Sequence, residues 1–265
     1  MSQPPRIRLI AIGDEILSGR RQDKHFSKLI ELLSARGLAL NAAEFISDDE
    51  DDITRCLTRS FATGDIVFCC GGIGATPDDR TRQACARALG VDLVLHPEAE
   101  RLIGERCADM AARGQGSADM STPENRQRLQ MGVFPIGAEI VPNAYNKIPG
   151  FFIHDHTFMP GFPVMAEAMM TWTLDTRYAQ WHHRIERIEH SFLIFGIPES
   201  RITPALEALE ARWVGVKAFS LPSVGGEGVR PHIELGVKGP PGPAAEALAY
   251  LRAEAERVGG LLNPP

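Results

Sequence analysis

The chain has little that would anchor it in a membrane, cross-link it or draw it to nucleic acid. No stretch of its 265 residues approaches the roughly 18 to 20 consecutive apolar residues that cross a bilayer, and Met1 to Arg6 has neither an apolar core nor a small-residue cleavage site. A cytoplasmic protein with no membrane partner is expected. Cysteine is scarce and odd in number, five in all, and Cys69 and Cys70 are adjacent inside an apolar run, where neither disulfide nor metal spacing makes sense. All five read as reduced, with Cys56, Cys85 and Cys107 on apolar positions of expected helices as small core residues. An excess of basic charge is also missing: 28 Lys and Arg against 34 Asp and Glu leave a net charge of -6, which repels a phosphate backbone. No nucleic-acid partner is expected.

What is present is an ordinary globular balance, 44% apolar and 23% charged, arranged as strands alternating with amphipathic stretches. Arg6 to Ile12 reads as a buried strand, followed by helical spacing at Phe26, Leu29, Ile30 and Leu33 and a second strand from Leu38 to Phe45. Acids from Asp48 to Asp52 stand where a helix begins, ahead of Ile53, Leu57 and Phe61. Ile66 to Cys70 is the short continuous apolar run of a parallel strand covered on both faces. Helices are expected around Ala84 to Leu89, Ala99 to Met110 and Pro123 to Gln130. Strands are expected at Val91 to Leu95, Ile140-Val141, Ile148 to Ile153 and His156 to Met159, the last leading through a Pro-Gly turn into a helix that ends near Tyr178. This alternation predicts an α/β fold, a mostly parallel sheet between helices, over residues 1–178. Beyond it the order βαββα, with strands at Ile185 to Phe195, Val214 to Leu221 and Pro231 to Val237, predicts a small α+β domain over 179–265 with both helices on one face.

In an open α/β sheet a ligand lies off the carboxyl ends of the strands, so the residues following each strand are the candidates. The first group is Gly13, Asp14 and Glu15, two acids at a strand end that need a cation or N–H donors. The second runs from Gly71 through Gly72, Gly74, Thr76, Asp78 and Asp79 to Thr81, where glycines free backbone N–H groups for an anion at a helix start while the acids suit a cation, ligand donors or a cap. It is neither a Walker A loop nor a Gly-x-Gly-x-x-Gly fingerprint. The third is Pro160 and Gly161, with Asn143 and Lys147 upstream, Lys147 being the charge complement of a phosphate. The histidines His154, His156, His182, His183 and His190 fit no zinc spacing and read as partly exposed, His154 and His156 on one face of a strand.

These segments, with Asn125, Pro135 and Gly137 between them, occur in the order of the molybdopterin-binding MoaB/Mog-like domain, as found at the N-terminus of the CinA (competence/damage-inducible) family; Gly-Gly-x-Gly-x-Thr-x-Asp-Asp-x-Thr is the specific part. The chain resembles a standalone form of that family without the amidase domain of longer members. The resemblance implies a three-layer α/β/α fold, an association with molybdenum cofactor biosynthesis, a homo-oligomer, and molybdopterin or a related phosphate-bearing nucleotide as the small-molecule partner. Some CinA-like proteins are pyrophosphatases that hydrolyse ADP-ribose or FAD with Mg, Mn or Co. Carried over, Asp14, Asp78 and Asp79 would be catalytic, with Asp14 and Asp79 on the metal. Met165 stands where the family places a Glu, His25 where it places an Asn, and Asn143 to Gly150 departs from its usual motif. These departures predict binding with weak or absent hydrolysis, ahead of a metal-dependent pyrophosphatase or a non-catalytic interaction protein.

Overall fold

The computed structural model describes residues 5–183, 188–226 and 228–262 and divides into two compact units, Met1–His182 and His183–Pro265. The expected strand start at Ile185 lies outside the described residues.

The first unit runs β1 (Ile7–Ile12), α1 (Asp14–Leu17), α2 (His25–Ser34), β2 (Ala42–Ile46), α3 (Glu50–Phe61), β3 (Ile66–Cys70), α4 (Thr81–Leu89), β4 (Leu93–Leu95) and α5 (Pro97–Ala112). It continues with α6 (Pro123–Leu129), β5 (Val133–Pro135), β6 (Glu139–Val141), β7 (Gly150–Ile153), β8 (His156–Met159) and α7 (Pro163–Arg177). Six strands form one sheet in the order β2-β1-β3-β8-β7-β6. β2, β1, β3 and β8 are mutually parallel, and β7 is antiparallel to both of its neighbours. The sheet is therefore mostly parallel, as the alternation of strands and helices predicts.

Period-two alternation sorts the strands into two cores. Ile10, Ile12, Val67 and Cys69 face α3 and α4 with Ile53, Leu57, Ala84 and Cys85, whereas Leu9, Phe68 and Cys70 face α2 and α7 with Leu29, Leu33, Met169, Met170 and Leu174. This makes the three layers. Burying a Leu or Phe side chain contributes about 1.5 to 3 kcal/mol, so strands buried on both faces, as β3 is along its whole length, tie the layers together. Phe151 stacks on Phe158 at 4.3 Å and on Phe134 at 4.9 Å, which carries the first core out to β5. All five cysteines are free and buried.

Several expectations are corrected in detail. Strand β4 pairs with β5 in a separate two-stranded antiparallel sheet. β2 begins at Ala42 rather than Leu38, because Leu38 and Leu40 reach the core from a loop. His154 and Asp155 form the β7–β8 turn with positive φ of 47° and 57°, so His154 is not on a strand. His156 is buried rather than partly exposed.

The second unit contains β9 (Ile188–Ile194), α8 (Thr203–Arg212), β10 (Lys217–Ser223), β11 (His232–Gly239) and α9 (Pro241–Arg257), with an antiparallel sheet ordered β10-β11-β9. Ile233, Leu235 and Val237, which share one face of β11, pack with Leu209 of α8 and Leu251 of α9. Both helices cover that face, in the order the sequence predicts. Among the described residues no helix is long and apolar enough to cross a membrane.

Candidate functional site

Strand order 2-1-3 means that the chain leaves β1 toward one side and returns at β3 on the other, which opens a crevice at the carboxyl ends of β1 and β3. The loops after both strands meet there, and that after β8 joins them: the Gly71 N–H donates to the Met159 carbonyl at 3.0 Å, and a Cβ on Gly161 would touch Gly71 Cα at 3.6 Å.

The glycine loop is held by its own residues. Gly71 and Gly72 have φ of 107° and 68°, values that a side chain resists, and a Cβ at either would collide with Ile12 O or Thr81 Oγ1. Buried Thr81 closes the loop, donating its hydroxyl to Gly71 O at 2.9 Å and its amide to Gly72 O at 3.0 Å. Asp79 folds back inside it. Its carboxylate accepts the Gly74 N–H at 2.8 Å, the Thr76 N–H at 2.8 Å and the Thr76 hydroxyl at 2.5 Å. Two of the amides expected to face an anion are thus bonded to Asp79, and the residue expected on a metal already has both oxygens occupied.

Asp14 and Asp78 come together in a different concavity, of about 540 Å³, lined also by Asp48, Asp49, Glu50, Pro77 and Arg80. Asp48 is the addition. Its carboxylate accepts the Asp14 N–H at 2.9 Å, and its acidity is weakened first by burial and then by the charges of Asp14, Glu15 and Asp78. The run from Asp48 begins a helix as expected, with Asp49 capping α3 by accepting the Asp51 and Asp52 amides. Asp48 itself was legible as the second residue after β2, at the same carboxyl edge as the other candidates.

A second cleft, of about 370 Å³, lies against the other side of the loop and is lined by Thr76, Asp79, Arg80, Arg82, Gln83, Leu93, Gln127 and Gln130 among others. Arg82 and Gln83 were missed because no motif contains them. The signal was positional: Arg82 shares a helical stripe with Cys85, Ala86 and Leu89, so a charge had to be buried there. A third cavity of about 100 Å³, mostly apolar, is lined by Gly74, Asn143, Asn146, Pro160, Phe162 and Met165.

Asn143 is buried and shapes its own turn, donating to Ile148 O at 3.0 Å and Asn146 Oδ1 at 2.9 Å while accepting the Tyr145 N–H at 3.0 Å. Asn146 donates to Met165 Sδ at 3.7 Å. Lys147, expected as the complement of a phosphate, is engaged with α5, its ammonium 2.8 Å from Asp109 and 3.5 Å from Glu105. Asn125 is also structural, pinning the preceding loop through Ser117 O and Asp119 O at 2.8 and 2.9 Å.

Over residues 8–179 the chain matches the family described as a probable molybdopterin binding domain. The chain belongs to this family, in its CinA-like branch. It is 32% identical over 210 residues to a CinA-like protein of Citrifermentans bemidjiense, covering 76% of this chain and 47% of that protein. A CinA-like protein of Anaeromyxobacter sp. is 29% identical over 296 residues, with 98% of this chain and 69% of the relative covered. The chain spans about half the length of several such relatives. Among solved structures, the protein CinA with unknown function from Thermoplasma acidophilum superposes with a TM-score of 0.55 at 26% identity, over 66% of this chain and 98% of that one.

The acidic concavity is the place in the first unit where a divalent ion would be drawn. Among the described residues no three His, Cys, Asp or Glu side chains stand together as a preformed metal cage. A magnesium-like ion needs no such cage, since it keeps several waters and binds through one or two carboxylates plus ligand phosphates. Asp14 and Asp48 bring two carboxylates into that one concavity, which is the number such an ion would require. An ion brought in with a phosphate ligand would be held by Asp14 and Asp48, because the oxygens of Asp79 are already bonded to Gly74 and Thr76.

Proposed function

We propose that the chain binds molybdopterin or a related phosphate-bearing nucleotide at the Gly71–Thr81 loop. The observation that carries this reading is the loop itself, fixed by Thr81 and Asp79 at the crevice of the sheet, with acids on one side and a cleft of about 370 Å³ on the other. That volume is within the range of small-molecule sites. Family membership supports the ligand class. Mass spectrometry of the small molecules that co-purify with the chain tests it: a pterin or nucleotide phosphate is expected. A chain that arrives empty and gains no thermal stability from AMP or molybdopterin removes the reading.

A second reading, a metal-dependent pyrophosphatase acting on ADP-ribose or FAD, is favoured by one observation, the convergence of Asp48 with Asp14 and Asp78. A divalent ion bound there would neutralise charge on the bridging oxygens of a diphosphate. Against it, Met165 puts a thioether where the family resemblance implies a Glu, and that sulfur already accepts from Asn146.

A further inference from the structure

Arg82 and Gln83 line the cleft on the α4 side of the loop, and each carries a buried polar atom, Arg82 Nε and Gln83 Oε1, that has no hydrogen-bond partner among the described residues. Arg82 is 4% exposed. One of its terminal nitrogens donates to Gly74 O, but no described carboxylate forms an ion pair with it. Burial accordingly pulls its pKa below the ordinary value, and the charge of Asp79 offsets this only in part. A buried cation without an anion is among the most destabilising arrangements a protein keeps. Leaving the Gln83 acceptor unmet adds to it.

We propose that this cleft is an anion site, in which Arg82 and Gln83 hold a phosphate group that carries its own O–H. The guanidinium supplies charge and the free Nε–H donor, and the Gln83 carbonyl accepts the phosphate O–H, so each orphaned atom gains the partner it lacks. Arg80 lines the same cleft and adds positive charge. Among the described residues Asp79 is the one acid on its wall, and its oxygens are turned into the loop by the Gly74 and Thr76 donors. The role expected of Lys147 thus falls to Arg82. The inference deepens the ligand-binding reading of the loop and rests on it.

Isothermal titration of inorganic phosphate, and separately of AMP, into the full chain and into Arg82→Gln and Gln83→Glu tests the site, with thermal melts alongside. The parent is expected to bind both, and each variant to lose at least tenfold in affinity for both. Gln83→Glu changes a half-buried residue without removing a buried one, so it decides the matter if Arg82→Gln does not fold. Phosphate binding undiminished in a folded variant overturns the site, as does a parent that binds no phosphate. AMP bound equally by parent and variants also overturns it, while leaving the loop's ligand-binding role intact. Phosphate binding that depends on Arg82 without any AMP binding supports the anion site and removes the nucleotide reading instead.

Discussion

Asp14 and Asp48 each accept the other's backbone N–H, at 3.4 Å to Asp14 Oδ1 and 2.9 Å to Asp48 Oδ2, so two acids from adjacent strand ends are locked side by side. Nothing in their hydrogen bonding cancels their charge. Manganese or magnesium is therefore expected to raise the Tm of the parent. Asp14→Asn and Asp48→Asn keep an oxygen for the amide yet should lose most of that rise, whereas Asp79→Asn should keep it. A metal-induced shift equal in all four proteins would place the ion elsewhere.

Asp79→Ala strips the glycine loop of three hydrogen bonds at once. Part of the loss is recovered from water at this half-exposed position, so a destabilisation of about 1 to 2 kcal/mol is expected. A thermal melt checks it. On sequence alone the same variant should melt like its parent and fail only in binding; the geometry makes the residue an internal strut first, with weaker binding following from a loosened loop.

A pH dependence should come from the far end of the sheet. His156 lies between Ser60 Oγ and the His154 carbonyl, each at 2.7 Å, so its Nδ1–H donates to the carbonyl and Nε2 accepts the Ser60 hydroxyl. Burial lowers its pKa from 6.5 to about 4, outweighing the His154 carbonyl and the charges of Asp155 and Asp65. The unfolded chain therefore takes up a proton that the folded one refuses. Stability present above pH 6.5 is lost as pH falls through 6.5 toward 4, by on the order of 2 to 4 kcal/mol. Urea midpoints measured across this window should fall for the parent. His156→Gln should be weaker at neutral pH but lack most of the fall.

Hydrolysis of ADP-ribose and FAD by the parent should be weak or absent with magnesium, manganese or cobalt. Met165→Glu should raise it by putting a carboxylate beside Asn146, on the wall of the loop that now lacks one. Chromatographic detection of AMP settles the point, and robust turnover by the parent would promote the pyrophosphatase reading over the binding one.

The strands and the glycine loop were legible because their signals are local: runs of five or six mostly apolar residues, and glycines where the backbone must take positive φ. β5 left no such trace. It is three residues long and pairs only with β4, some 40 residues earlier in the chain. The direction of Lys147 was invisible for a related reason, since α5 with its waiting Asp109 lies 38 residues back and sequence distance says nothing of that approach. Asp48 was seen but absorbed by a sufficient local explanation, the start of a helix. Arg82 shows the reverse case, a residue with no motif whose importance appears only when its surroundings fail to neutralise it.

The loop from Gly71 to Thr81 takes its shape from bonds made entirely within the protein. A ligand of the proposed class would meet a loop already bonded in place, and the encounter itself is then expected to set the pace of association. Differences in affinity among related compounds should then appear in how long each one stays rather than in how quickly it arrives.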